Sequence, residues 1–250
     1  MQRKAEIGSL KFTREYLCVP ISTGTALFSP ESIAQCKNKE YILKLGNRKN
    51  KGYKYYVGVD PAISTDGDYN VITVLEVDEN MNKAIVHVDR AKNVEFRENI
   101  EKIRLIGRIY QPEAILFETN TFAKSFTQEL RNISDLNVLD FNTTRKKKQE
   151  IILNLQMNFE NKKMILPYGD NNSRVLTNAL IEELSMFSIT ESGKFEGVGA
   201  HDDLVMSLAL ANAATNRPTD SFYLLDDIGL FDSPTTTTNV VPNGLVGLNF

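Results

Sequence analysis

The chain has 250 residues, 42% of them hydrophobic, with 29 Lys and Arg against 32 Asp and Glu for a formal net charge of -3. These values describe an ordinary globular core and argue against a protein that simply coats nucleic acid, which carries a basic excess. With two His and two Cys there is no three-His zinc site and no disulfide framework; with no run of about eighteen apolar residues there is no membrane span. A reducing, intracellular setting follows as the expectation, and the N-terminus (MQRKAEIGSLKF) lacks the apolar core of a signal peptide.

Residues 1–52 read as a preamble, cut into short pieces by Pro20, Gly24 and Pro30. Phe12, Tyr16, Leu17 and Phe28 are candidates to pack on a neighbouring surface, and Ser29-Pro30-Glu31-Ser32 starts a helix through Cys36. The stretch KLGNRKNKGYK, Lys44 to Lys54, is basic and reads as a solvated linker or a patch that meets phosphates.

The core begins at Tyr53. Tyr53 to Val59 is a β-branched and aromatic run that stops at Asp60-Pro61, because proline offers the sheet no N–H. Asn70 to Val77 and Lys83 to Asp89 are the second and third strands, joined by short loops into an antiparallel meander. His87 falls mid-strand and reads as a packing residue. From Val94 to Tyr110 the period becomes helical (Phe96, Ile100, Ile103, Ile109), and Glu113 to Glu118 is a buried strand parallel to the first after that crossover. A helix over Thr121 to Asn132 and a fifth strand over Asn137 to Phe141 follow.

Lys146 to Lys162 is predicted helical, Met164 to Pro167 extended, Asn172 to Phe187 helical, and Ser188 to Val198 a small hairpin around Gly193. Asp202 to Ala214 is a compact helix of small apolar residues. Beyond Asn216, Pro218, Ser233-Pro234 and four threonines mark a tail, with Leu224 to Phe231 and Leu245 to Phe250 as docking candidates. The expected fold is a mixed sheet of five or more strands with helices on both faces.

Three carboxylate points recur in this frame. Asp60 ends the first strand and Glu118 the fourth, so parallel neighbours would bring both to one sheet edge, where open sheets place their sites. Asp202 and Asp203 open the last core helix. Each has an ordinary reading of its own: an Asp-Pro turn for Asp60 and an N-cap for the Asp pair. The functional reading needs all of them together. An oxygen-only set suits magnesium or manganese rather than zinc, and two such ions about 4 Å apart activate a water and stabilise a phosphodiester leaving oxygen. Asp66 and Asp68, in the loop beyond Asp60, are candidates for an outer ligand or are plain solvated acids. Arg145-Lys146-Lys147-Lys148 opens a helix at the end its dipole disfavours for positive charge; DNA phosphates are a candidate reason.

VGVDPA with its trailing acids, ILFETN after a helix, Thr-Arg-Lys-Lys-Lys at a helix start and GAHDDLVMSLALA together resemble the nuclease domain of tailed-phage terminase large subunits, over about Tyr53 to Ala214. The preamble pieces REYLCVP and TALFSP are similar to the segment that links the terminase ATPase to its nuclease. The resemblance implies a ribonuclease H-like, RuvC-resembling fold over residues 53–216, a linker packing on it over 1–52 and a tail over 217–250. It implies a two-metal endonuclease that cuts concatemeric viral DNA in the host cytoplasm. Double-stranded DNA, the ATPase domain, the small terminase subunit and the portal or procapsid are its implied partners. By position Asp60 and Glu118 match the first two metal-binding acids and Asp202 the third, with Asp203 close behind; many members have Asp where Glu118 stands. No GxxxxGK[ST] loop occurs here, so the polypeptide is expected to cleave DNA without hydrolysing ATP. Competing readings are a Holliday-junction resolvase or transposase core, an actin-like nucleotide-binding module, and a non-catalytic assembly module.

Overall fold

The computed structural model describes residues 26–46, 52–61, 69–119, 123–190, 194–197 and 201–216. Expectations placed on Phe12, Tyr16, Leu17, Asp66, Asp68, Gly193 and the 217–250 tail lie outside these residues, as does part of the basic 44–54 stretch. The chain divides into two units after Asn216, and every described residue belongs to the first.

The elements run in chain order as α1 (Pro30–Gln35), β1 (Lys37–Asn38), β2 (Lys54–Asp60), β3 (Asn70–Val77), β4 (Lys83–Ala91), α2 (Phe96–Tyr110), β5 (Ala114–Glu118) and α3 (Ala123–Ile133). Then come β6 (Val138–Phe141), α4 (Arg145–Glu160), β7 (Met164–Pro167), α5 (Asn171–Met186), β8 (Phe187–Ile189), β9 (Phe195–Gly197) and α6 (Asp203–Ala214). Seven strands form one mixed sheet in the order β1-β7-β4-β3-β2-β5-β6, and β8 pairs with β9 separately. β2, β3 and β4 are the antiparallel meander, and β5 and β6 add in parallel beside β2. Met164 to Pro167 does more than extend the chain: as β7 it joins the sheet edge parallel to β4. β1, unforeseen at two residues, then pairs with β7.

The sheet is covered on both faces, as its central strand requires: all eight residues of β3 are buried. On one face Tyr55, Val57 and Val59 of β2 and Ile72 and Val74 of β3 pack with Ile100, Ile103, Ile106 and Tyr110 of α2. The period read from sequence finds Ile100 and Ile103 among them; Phe96 is exposed instead, and Tyr110 rather than Ile109 is the fully buried residue of the last turn. His87 lies on this face, stacked on Tyr110 at 6.5 Å, and burial lowers its pKa. Leu27 and Phe28 are buried, with Phe28 set edge-on to Phe159 of α4 and Phe187 of β8. The Cys36 thiol is buried as well, which pushes its pKa up to about 11.

The opposite face carries α6. Side chains alternate along a strand, so Gly58 and Asp60 share a face, away from Val57 and Val59. A Cβ on Gly58 would fall on the Ser207 carbonyl oxygen and the Ala211 amide nitrogen. Glycine therefore lets the α6 backbone lie directly on β2. The fully buried Ser207 hydroxyl is within hydrogen-bond reach of the Gly58 carbonyl and of Thr73 Oγ1, both at 2.9 Å. This seat fixes where the first turn of α6 meets the end of β2.

Candidate metal centre and its surroundings

The strand register explains why the carboxylates meet. β2 and β5 pair in parallel with Val59 opposite Phe117, so the next residues, Asp60 and Glu118, end adjacent strands on the same face. α6 runs back along that face from Asp203, and its Gly58 seat puts its acidic first turn over the strand ends. Burial raises the Asp60 carboxyl well above the usual range, and the charges of Glu118, Asp203 and Asp202 and a hydrogen bond with Glu118 raise it further. Four sequence-predicted acids thus lie within electrostatic range of one another. Among the described residues, however, no group of three or more His, Cys, Asp or Glu stands ready to hold an ion. Asp202 is turned to Lys148 Nζ at 2.8 Å, and Asp203 Oδ2 accepts the Tyr69 amide at 3.1 Å.

The chemistry of this donor set fits a divalent cation. Four acids from three elements face the same edge, and burial together with their mutual repulsion raises the Asp60 carboxyl well above its usual range. A hard cation relieves that repulsion directly. Lys148 supplies one positive charge there meanwhile, and its ammonium also stands 5.7 Å from the Phe187 ring centre. Of the basic run that opens α4, Arg145 and Lys146 are exposed, while Lys147 and Lys148 are half-buried. The disfavoured placement of positive charge at this helix start thus has a partner within the chain, at least for Lys148.

Sequence reasoning missed the residues around the acids. Tyr69, Val71 and Thr73 of the β3 side, and Arg90 and Lys92 of the β4 side, share the face of Asp60 by register. The Arg90 guanidinium lies 3.9 Å and the Lys92 ammonium 4.5 Å from the Tyr69 ring centre, and His201 meets that ring edge-on at 5.2 Å. A basic and aromatic flank therefore adjoins the acidic edge on the β4 side. His201 Nδ1 is also 3.7 Å from Asp203.

The start of α6 departs from its sequence reading. Asp202 occupies the N-cap position, yet its carboxylate makes no cap hydrogen bond. Glu183 of α5 makes it instead: Oε2 accepts the Leu204 amide at 2.8 Å and the Val205 amide at 3.3 Å, while Arg90 donates to Oε1 at 3.0 Å. Burial pushes the Glu183 carboxyl up to about 7 against the pull of Arg90 and the two amides. Nothing local marks Glu183: it lies twenty-one residues before Leu204, whose amide it accepts.

Residues 57–214 match the family described as the Terminase RNaseH-like domain. The chain belongs to that family. Its fold is similar to the large terminase nuclease of thermophilic phage G20c at 21% identity and a TM-score of 0.56, over 75% of this chain and 97% of that one. It is also similar to the large terminase of thermophilic bacteriophage D6E in complex with ADP, at 13% identity and a TM-score of 0.63, over 86% of this chain and 51% of that one. The nuclease domain of the large terminase subunit gp2 of bacterial virus Sf6 aligns at 10% identity and a TM-score of 0.54, over 75% and 98% of the two chains. The G20c nuclease has been crystallised with bound magnesium, cobalt and zinc. No curated protein matches the chain. The mixed sheet is thus a ribonuclease H-like one, as expected.

Proposed function

We propose that the chain is a metal-dependent DNA endonuclease that cuts concatemeric viral DNA during genome packaging, by two-metal phosphodiester hydrolysis. The observation that carries this reading is the register of β2 and β5 with the Gly58 seat of α6, which brings Asp60, Glu118, Asp202 and Asp203 to one edge of a terminase-family sheet. Asp60, Glu118 and Asp202 would hold two magnesium or manganese ions, with Asp203 as auxiliary. Bound there, the ions would supply a water of lowered pKa and a counter-charge for the leaving oxygen. The G20c nuclease has been crystallised with bound zinc as well as magnesium, so zinc is tested too.

The chain's own residues have separable tasks. Asp60 and Glu118, fixed at strand ends, define the centre. Lys148 pairs with Asp202 at 2.8 Å, and with a cation bound by the acids its ammonium would be available to substrate phosphate. Arg145, Lys146 and Lys147 extend that positive surface along α4, and affinity for double-stranded DNA falls with salt as these phosphate contacts are screened. Asp66 and Asp68 remain candidates for an outer ligand. Residues 1–52 act as the linker and 53–216 as the nuclease domain. The ATPase domain, the small subunit and the portal or procapsid are the partners this role requires, in the host cytoplasm. Among the described residues no helix is long and apolar enough to cross a membrane.

Plasmid cleavage with EDTA, Mg2+, Mn2+ or Zn2+, beside Asp60→Asn, tests the reading. Cleavage that needs metal and vanishes in the variant is expected. Cleavage that persists in Asp60→Asn, or none with any metal at low salt, would overturn it.

A further inference from the structure

Glu95, before α2, makes no side-chain cap bond but keeps an extended backbone at ψ 150°; three other helix starts carry a cap residue of the usual kind. Ser29, Thr144 and Asp170 each cap their own helix through the side chain, at ψ of 141, 159 and 175°, the extended backbone a cap residue adopts. Asp202 stands in the same position before α6 at ψ 13° and makes no side-chain cap bond. With Asp202 as cap, Leu204 and Val205 are the second and third helical residues, the two whose amides a cap side chain normally satisfies. Both of those amides donate to Glu183 Oε2.

We infer that Glu183 is a positioning residue that caps α6 from outside, so that the Asp202 carboxylate is left for the metal centre instead of being drawn back onto its own helix. The inference rests on the metal reading above. A cap bond would turn the Asp202 carboxylate back over its own helix, away from the Lys148 ammonium it meets at 2.8 Å, so the two placements compete. The fold resolves the conflict by importing the cap from α5. Burial, an ion pair and the stacking of that pair's guanidinium hold Glu183 to that task. Its side chain is only 6% exposed, so its charge must be satisfied locally. Arg90 pairs with its second oxygen at 3.0 Å. The same guanidinium rests on Tyr69, whose amide holds Asp203 Oδ2 at 3.1 Å. Glu183 and Tyr69 are thus linked through Arg90, with one residue serving the first-turn amides and the other the first-turn carboxylate.

A double-mutant cycle on the whole chain, read by melting temperature in EDTA, tests the cap without metal. Asp202→Ala should change the melting temperature little alone, and lower it clearly in a Glu183→Ala background, where Asp202 has swung back to cap the helix. Calorimetric Mn2+ titration tests the consequence. Glu183→Ala should weaken binding about 10-fold or more, the scale of an outer-shell loss, and Glu183→Gln, which keeps an acceptor oxygen, should restore most of it. If Glu183→Ala does not fold, Glu183→Asp, one methylene shorter, replaces it in both measurements with the same expected signs. Equal losses from Asp202→Ala in both backgrounds, or Mn2+ affinity that ignores Glu183→Ala, overturns the inference. Wild-type Mn2+ binding that survives Asp60→Asn would sink the metal reading instead, and the stability cycle would still decide who caps α6.

Discussion

At the start of α5, Asp170 Oδ1 accepts the Ser173 amide at 2.7 Å, and hydrogen bonds from the Ser173 hydroxyl and amide hold its carboxyl below the usual range. At the start of α6, Asp202 makes no such bond and turns to Lys148. The two aspartates carry the same sequence signal, an Asp immediately before a helix. They differ in what surrounds the helix end. Asp170 and the first two residues of α5 are exposed, and the Ser173 amide goes to Asp170 itself. α6 begins beneath α5 and beside β4, where Glu183 and Arg90 are in reach. A buried helix end can draw its cap from elsewhere in the fold, and its own first residues are then available for chemistry.

The comparison can be broken most completely at Gly58. Gly58→Ala forces the strand and the α6 backbone apart, because the new methyl meets backbone atoms that have no rotamer to escape into. We expect a loss of about 3 kcal/mol or more in chemical denaturation, with cleavage abolished because the acids no longer meet. Wild-type stability in this variant would mean that α6 does not sit on β2 as described.

The far end of α6 gives the next largest effect. There Lys83 is 2% exposed and its ammonium donates to Asn212 Oδ1 at 2.8 Å. Burial lowers its pKa to about 8 from 10.5. Below pH 8 both folded and unfolded chains carry this proton and the fold bears the full burial cost. Above pH 8 the folded chain releases the proton first, the unfolded chain binds more protons, and stability rises. Between pH 8 and 9.5 the gain should be about 2 kcal/mol, measured by urea denaturation, and Lys83→Met should flatten the slope.

The direct contrast of the two aspartates comes next. Asp202→Ala should reduce metal-dependent cleavage by ~100-fold or more, exceeding the usual loss of an outer-shell partner, with little change in the EDTA melting temperature. Asp170→Ala should do the reverse, lowering the melting temperature modestly and sparing cleavage. The smallest expected effect is a rise in metal-free melting temperature for Asp60→Asn, which takes a buried carboxyl out of a repelling group. Adding Mn2+ should stabilise the wild type and leave that variant unmoved.

Much of the fold was legible because it is written in local periods. β3 runs over the residues its β-branched alternation marks, and the helical spacing of Ile100, Ile103 and Ile106 places α2. Asp60 and Glu118 were legible as strand-ending acids, since proline and the end of an apolar run are local marks. What escaped is non-local. β1 is too short to have a period and exists through its pairing with β7. The seat of α6 depends on Gly58 meeting Ser207 and Ala211, whose i, i+4 spacing of small residues was visible but whose partner strand was not. The Glu183 cap and the Arg90–Tyr69 contact join positions far apart in sequence, and no single stretch announces them.

The measurement that bears most directly on the central claim is anomalous scattering from crystals of the whole chain soaked in Mn2+. The account predicts two peaks at the sheet edge, ligated by Asp60, Glu118 and Asp202, with Glu183 still bonded to the α6 amides. Peaks elsewhere, or an Asp202 carboxylate folded back onto Leu204 and Val205 while manganese is bound, would contradict it.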